Sequence, residues 1–174
     1  MSVETNTQLL QSVKAKLASA PAPVSPDEWK SIIDRTIVSI DLSKFTKIYN
    51  YVFSGCQSLS IDEIPANIAS VGADAFYKCL GITKLKIKCG EIGSLAFQEC
   101  SNLKKVWISK DVAVITATAN TKAPLYKCST SLIVYTDASA RQSGWGSKWN
   151  YGKGTLGTAY TTKYNITEAE FDAL

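Results

Sequence analysis

The chain has 174 residues, 45% of them hydrophobic, and a formal net charge of +4, which suits one domain or one domain with a short appendage. No apolar run approaches the length that crosses a bilayer, so membrane insertion is not expected, and the modest charge gives no reason to expect nucleic acid as a partner. There is no histidine, so the commonest general base and the usual partner of a serine or cysteine nucleophile are missing. No glycine-rich phosphate loop follows a strand, and Gly152-Lys-Gly154 is too short to serve as one. An enzyme is therefore not expected, and no catalytic residue and no cofactor is assigned.

Residues 1–20 can form a helix in which Leu10, Val13 and Leu17 share one face at spacings of three and four. So narrow a stripe has to dock on something. Ala20-Pro-Ala-Pro-Val24 then reads as a stiff extended linker, because alternating prolines disfavour helix. Residues 1–24 together are expected to be an assembly or attachment element. Glu4 comes early and no continuous apolar core follows it, so export through a secretory signal is not expected.

Residues 25–36 predict a second helix. Ser25 is its N-cap, Pro26 takes the first helical position and Glu28 completes the capping box. Trp29, Ile32 and Ile33 would face inward, closing the open end of whatever follows.

Residues 37–137 repeat themselves. Ile48-x4-Phe53-x2-Cys56-x2-Leu59 returns as Val71-x4-Phe76-x2-Cys79-x2-Ile82 and as Ile92-x4-Phe97-x2-Cys100-x2-Leu103. A degraded copy follows as Leu125-x2-Cys128 with Leu132 or Ile133, after an extra stretch over Thr116–Pro124. An apolar spacing that recurs every 20 to 30 residues or so marks a solenoid, whose units bury their hydrophobic faces only by stacking. Alternation of apolar and polar residues predicts strands over Thr36–Leu42, Thr83–Lys88 and Leu103–Ile108. The segments Gly72–Phe76 and Gly93–Phe97 are expected to make a turn and a short helical piece that drops the phenylalanine into the core.

Five cysteines cannot all pair within one chain. Cys56, Cys79, Cys100 and Cys128 occupy the same slot in successive units, which makes them a buried structural column of thiols. A metal site is the alternative, but the C-x2-C spacing and histidine are both absent, and no metal is expected. Cys89, outside the column beside Gly90, reads as the thiol most open to reaction.

Residues 138–174 differ from the repeats. They carry Trp145, Trp149, Tyr151, Tyr160 and Tyr164, and Thr167-Glu-Ala-Glu170 is a second capping box that announces a short last helix. The aromatics can serve as a binding platform or as the cap that seals the solenoid; the cap is the reading preferred here. The fold expected is thus an α/β solenoid, with a helical N-terminal segment and an aromatic-rich C-terminal cap.

The phrases Phe53-Ser-Gly-Cys56-Gln-Ser-Leu59, Ile64-Pro65, Val71-Gly-Ala-Asp-Ala-Phe76 and Ile92-Gly-Ser-Leu-Ala-Phe97-Gln-Glu-Cys100-Ser-Asn-Leu103 resemble the leucine-rich repeats of the BspA-like class. The resemblance covers residues from about 37 to 136. The first unit departs from it at Ile61, and the fourth lacks both the glycine and the phenylalanine. It implies a short leucine-rich-repeat β-solenoid. Members of that class are usually bacterial surface proteins that bind host proteins or other cells. Short copies also resemble pieces of bacteriophage and prophage tail proteins, in which a helix like Leu9-Leu-Gln-Ser-Val-Lys-Ala-Lys-Leu17 joins the module to the particle. That resemblance implies a virion protein, made in the bacterial cytoplasm and held as a homo-oligomer among other virion or tail proteins. The alternative it leaves is an adhesion or protein-binding module at the bacterial cell surface.

Strand alternation also names a candidate binding face. From Lys78 to Lys110 there are seven lysines against two glutamates. If Leu85, Ile87, Val106 and Ile108 point inward, then Lys84, Lys86, Lys88, Lys105 and Trp107 point outward. Stacking at about 4.8 Å puts Lys84 beside Lys105 and Lys86 beside Trp107, with Glu63 in line one unit earlier. An exposed tryptophan among lysines suits an acidic cell-surface glycan or an acidic protein. Alternatively, the lysines merely solvate the sheet, and Trp107 lies beneath the loop Thr116–Pro124 or the tail.

Overall fold

The computed structural model describes residues 38–174. The helix and proline linker expected over 1–24, with Leu10, Val13 and Leu17, and the helix expected over 25–36 lie outside the described residues.

Each repeat makes one coil of a wall, and the coils stack in parallel. Strands β1 (Glu63–Ile64), β3 (Lys84–Ile87), β5 (Lys105–Ile108), β7 (Ile133–Thr136) and β10 (Thr161–Lys163) form a five-stranded parallel sheet in that order. Strands β2 (Ser70–Val71), β4 (Glu91–Ile92) and β6 (Val114–Ile115) form a second parallel sheet, which Ile48 extends by a bridge to Val71. Strands β8 (Tyr151–Lys153) and β9 (Thr158–Ala159) make a small antiparallel hairpin in the tail. Among the described residues there is one α-helix, α1 (Glu168–Asp172), and none of the coils contains one. No helix of the described residues is long and apolar enough to cross a membrane.

The register is fixed by the burial pattern. Leu85, Val106 and Val134 form one inward column, and Ile64, Ile87, Ile108 and Thr136 form the other. A one-residue slip would turn both columns to the outer face, so the apolar alternation leaves a single workable pairing.

The ridge between the two sheets carries the repeated phenylalanines. The Phe53, Phe76 and Phe97 rings stack with centroids 5.2 Å apart at each step, and all three are buried. The expected short helical piece is not formed here. Asp74 and Leu95 take positive φ, as do Gly55, Lys78, Glu99 and Lys127 in the slot before each cysteine, and such residues end a helix before it starts. The amides go to the next coil instead: Phe53 N–H donates to Ala75, Phe76 to Ala96 and Phe97 to the Pro124 carbonyl. Glycine at the head of the phrase is a matter of space. A Cβ on Gly93 would lie 2.9 Å from the Val71 carbonyl oxygen and from the backbone of Gly72 and Ala73.

The cysteine column is buried as the repeat spacing required. The Cys79 thiol donates to the Phe53 carbonyl, Cys100 to Phe76 and Cys128 to Phe97, each at 3.1 Å. A small side chain with a weak donor thus gives one carbonyl per coil a second hydrogen bond, beside the one it accepts from a cysteine N–H. Burial pushes the Cys100 thiol up to about 12. The expectation that Cys89 is the open thiol is corrected, since it too is fully buried and burial raises it to about 12.

A second correction falls at the N-terminal edge. Residues 38–41 are not a strand, because the Asp41 carboxylate accepts from Ser43 N–H and caps a 3-10 turn over Leu42–Lys44.

The tail continues the coiling. Trp145 bridges Ile115 in parallel, its indole N–H donates to the Val112 carbonyl at 2.6 Å, and it packs on Trp149 with centroids 4.5 Å apart. Strand β10 then adds to β7, pairing Thr161 with Ile133 and Lys163 with Tyr135. Trp145, Trp149 and Tyr160 are all buried in the main core and offer no aromatic platform.

Candidate binding face

The outer side of the five-stranded sheet carries the residues that alternation singled out. One row runs Glu63, Lys86, Trp107, Tyr135, Lys163, and the next runs Lys84, Lys105, Ile133, Thr161. Lys84 does face Lys105 and Lys86 does face Trp107, with Glu63 one coil earlier. The neighbours are those the sequence named; their surroundings are not.

The row does not stand open to solvent. After β10 the chain turns back through Asn165, whose φ is +57°, and lays α1 across the sheet. Two backbone bonds fasten the return: Asn165 N–H donates to the Ala138 carbonyl and Ile166 N–H to the Thr136 carbonyl. The capping box read from Thr167 and Glu170 is formed, with Thr167 Oγ1 accepting from Glu170 N–H and the Glu170 carboxylate from Thr167 N–H.

Trp107 is consequently only 3% exposed, so of the two readings of the ring, open or beneath the loop or the tail, the structure shows it beneath the tail and the open ring is corrected. Its indole N–H donates to the Ile166 carbonyl at 2.8 Å. The Phe171 ring packs against Tyr135 with centroids 5.3 Å apart, and Trp107, Tyr135 and Phe171 form a buried cluster separate from the main core. Trp107 lies on the outer face, as alternation requires, but beneath the tail.

The lysines are engaged in the same contact. Lys86 Nζ lies 3.0 Å from Glu168, 3.2 Å from Asp172 and 3.6 Å from Glu63. Lys88 Nζ lies 2.6 Å from Glu168 and 3.2 Å from Glu63. Partial burial works against the Lys86 charge, yet the bonds from Glu168 and Asp172 outweigh it and hold its pKa above the usual lysine range. Bonds from Lys88 and then Lys86 hold the Glu168 carboxyl below its ordinary range. Lys84 Nζ sits 4.7 Å from the Phe171 ring centroid and donates to the Asp172 carbonyl, while Lys105 donates to the Leu174 carbonyl. Beside α1 a cleft of about 290 Å³ remains, lined by Lys88, Trp107, Ser109, Asp111, Asp137 and Glu168 among others.

Sequence reasoning missed Glu168, Phe171 and Asp172 as members of this site. The signal was present: positions i, i+3 and i+4 of a capped helix share one face, here two carboxylates flanking an aromatic.

A family model of the BspA type leucine-rich repeat region matches residues 33–135 in six copies. No curated protein and no solved structure matches the chain.

Proposed function

Since the chain belongs to the BspA-type leucine-rich repeat family, we propose that it is a non-enzymatic binding and assembly module whose sheet face receives an acidic partner. The observation that carries this reading is the occupant of the face: Lys84, Lys86, Lys88 and Lys105 already gather an acidic segment of the same chain. A wall packed solid with Phe, Ile and cysteine columns offers its chemistry on surfaces rather than in an interior cavity.

The setting we assign is the bacteriophage virion. Residues 1–24 are the attachment element, with Leu10, Val13 and Leu17 meeting other tail proteins or further copies of this chain. The spacing of those residues and the proline linker after them support this. The family match favours a second reading, an adhesion module at the bacterial cell surface, for which an acidic glycan or host protein is the ligand.

Mass spectrometry on density-purified phage particles from producing cells separates the two. Stoichiometric presence in particles is expected, and confinement to the cell envelope would replace the first reading by the second. For the face itself, purified protein should bind immobilised polyglutamate in low salt and lose it as salt rises, because exposed charges are screened over about 8 Å at physiological ionic strength. Lys84→Glu with Lys105→Glu should abolish that binding. Retention by the double variant would place recognition elsewhere.

A further inference from the structure

Three features of α1 belong together. It contributes nothing to the main core, since Phe171 packs in the separate cluster with Trp107 and Tyr135, bordered by Ile133 and Ile166. It is five residues long, far below the length at which a helix persists alone, so its contacts with the sheet sustain it. And its inward face is a compact pattern, Glu168, Phe171 and Asp172, each group matched by the sheet.

From this we propose that the outer face of the sheet is a docking groove for an acidic, aromatic-anchored helical segment of a partner protein, with α1 as the resident occupant that such a segment displaces. The inference rests on the reading of this face as the recognition surface, and goes further by naming what the surface recognises.

The groove specifies its guest in three places. Trp107 and Tyr135 give an apolar floor for one aromatic ring, Tyr135 meeting it at an angle of 60°. Lys84 stands above that ring, where a cation is attracted to the π face. Lys86 and Lys88 take one carboxylate a helical turn before the ring, and Lys86 takes a second one residue after it. With α1 lifted away, Lys84, Lys86, Lys105 and Lys163 would confront a single acidic residue in the two outer rows, Glu63, with Lys88 beside it and Asp111 and Asp137 at the adjoining cleft. That imbalance rejects a basic or neutral helix, because it leaves lysines desolvated without a counter-charge. The cleft between Lys88, Asp137 and Thr167 lies at the start of α1, where an incoming chain gains its first foothold.

The test uses the full chain and a fluorescein-labelled peptide with the sequence of residues 165–174, followed by fluorescence anisotropy. Phe171→Ala, which weakens the resident helix, should bind the peptide about tenfold or more tighter than the wild type, which competes with its own α1. Adding Lys86→Glu should remove the binding, and a peptide carrying Glu168→Lys and Asp172→Lys should restore it. Glu168→Gln with Asp172→Asn provides a second route to a weakened latch if Phe171→Ala fails to fold. Peptide binding no better in either folded variant than in wild type would overturn the proposal. Concentration-dependent dimers of the Glu168→Gln, Asp172→Asn variant that exclude the peptide would also overturn it, naming a second copy as the guest. Polyglutamate binding that persists while peptide binding fails sinks this inference alone; loss of both sinks the underlying reading.

Discussion

Lys86 Nζ and Glu168 Oε1 lie 3.0 Å apart although 82 positions separate the two residues in the chain. The bond ties β3 to α1, over the residues that would otherwise form an open basic face. Its consequence for pH, and those of the packed coils beneath it for thiol chemistry and stability, can each be measured.

The first concerns acid. Glu168 has its pKa lowered in the folded state by its bonds to Lys88 and Lys86, so its contribution is present above the ordinary value of 4.5 and is lost as pH falls through the lowered one. Lys86 has a raised pKa, so its share is present at and below its ordinary value of 10.5 and is lost only in stronger alkali. The latch should therefore hold across the neutral range and loosen only in acid below the ordinary carboxyl value. The indole N–H resonance of Trp107, bonded to Ile166, reports this by NMR. An unchanged resonance down to pH 3 in a still-folded protein would contradict it.

The second concerns thiols. The five cysteines are buried, and burial lifts Cys89 and Cys100 to about 12, so these two carry almost no thiolate at pH 8. A thiol reagent should label no cysteine of the native protein within minutes and all five in denaturant. Rapid labelling of Cys89 in the native state would restore it as a reactive residue.

The third concerns the ring stack. Phe76 lies between Phe53 and Phe97 with both neighbours at 5.2 Å. Phe76→Ala should cost about 3–5 kcal/mol by urea unfolding, combining lost transfer energy with a cavity that the stacked wall cannot close. A loss under about 1 kcal/mol would mean that the coils relax around the gap.

The fourth separates the parts of Trp107. Trp107→Phe keeps an apolar floor under Phe171 and removes the bond to Ile166, at a cost of about 1–3 kcal/mol for the carbonyl left unsatisfied. Trp107→Ala should cost more and expose α1 to proteolysis while the coils remain folded. Equal stability of both variants and wild type would show the ring to be a bystander.

The repeat was legible because it is a spacing: Phe53, Phe76 and Phe97 announce one slot, and so do Cys79, Cys100 and Cys128. Register was legible for the same reason, and Lys84 beside Lys105 follows from it. What covers the outer face was not, because alternation reports which way Trp107 points and nothing about a segment that returns from 59 residues later. The ridge was misread as partly helical because Gly-Ala-Asp-Ala-Phe suits a helical turn locally. The backbone bonds to the neighbouring coil win there, and they are invisible in a single repeat.

The extra stretch Thr116–Pro124 has one more implication, for anyone who would build with these coils. Ile115 before it still pairs with Ile92, and Pro124 at its end still accepts from Phe97, so the insertion leaves the slots in step. It is not free cargo. A Cβ on Gly157 would lie 2.8 Å from the Asn120 carbonyl, Tyr126 donates to the Thr155 carbonyl, and Lys127 N–H donates to Gly152. Loop and tail hairpin are cut to one another, so the fourth coil and the tail form a single interchangeable part. Coils grafted upstream of it can be multiplied; that terminal piece has to travel whole.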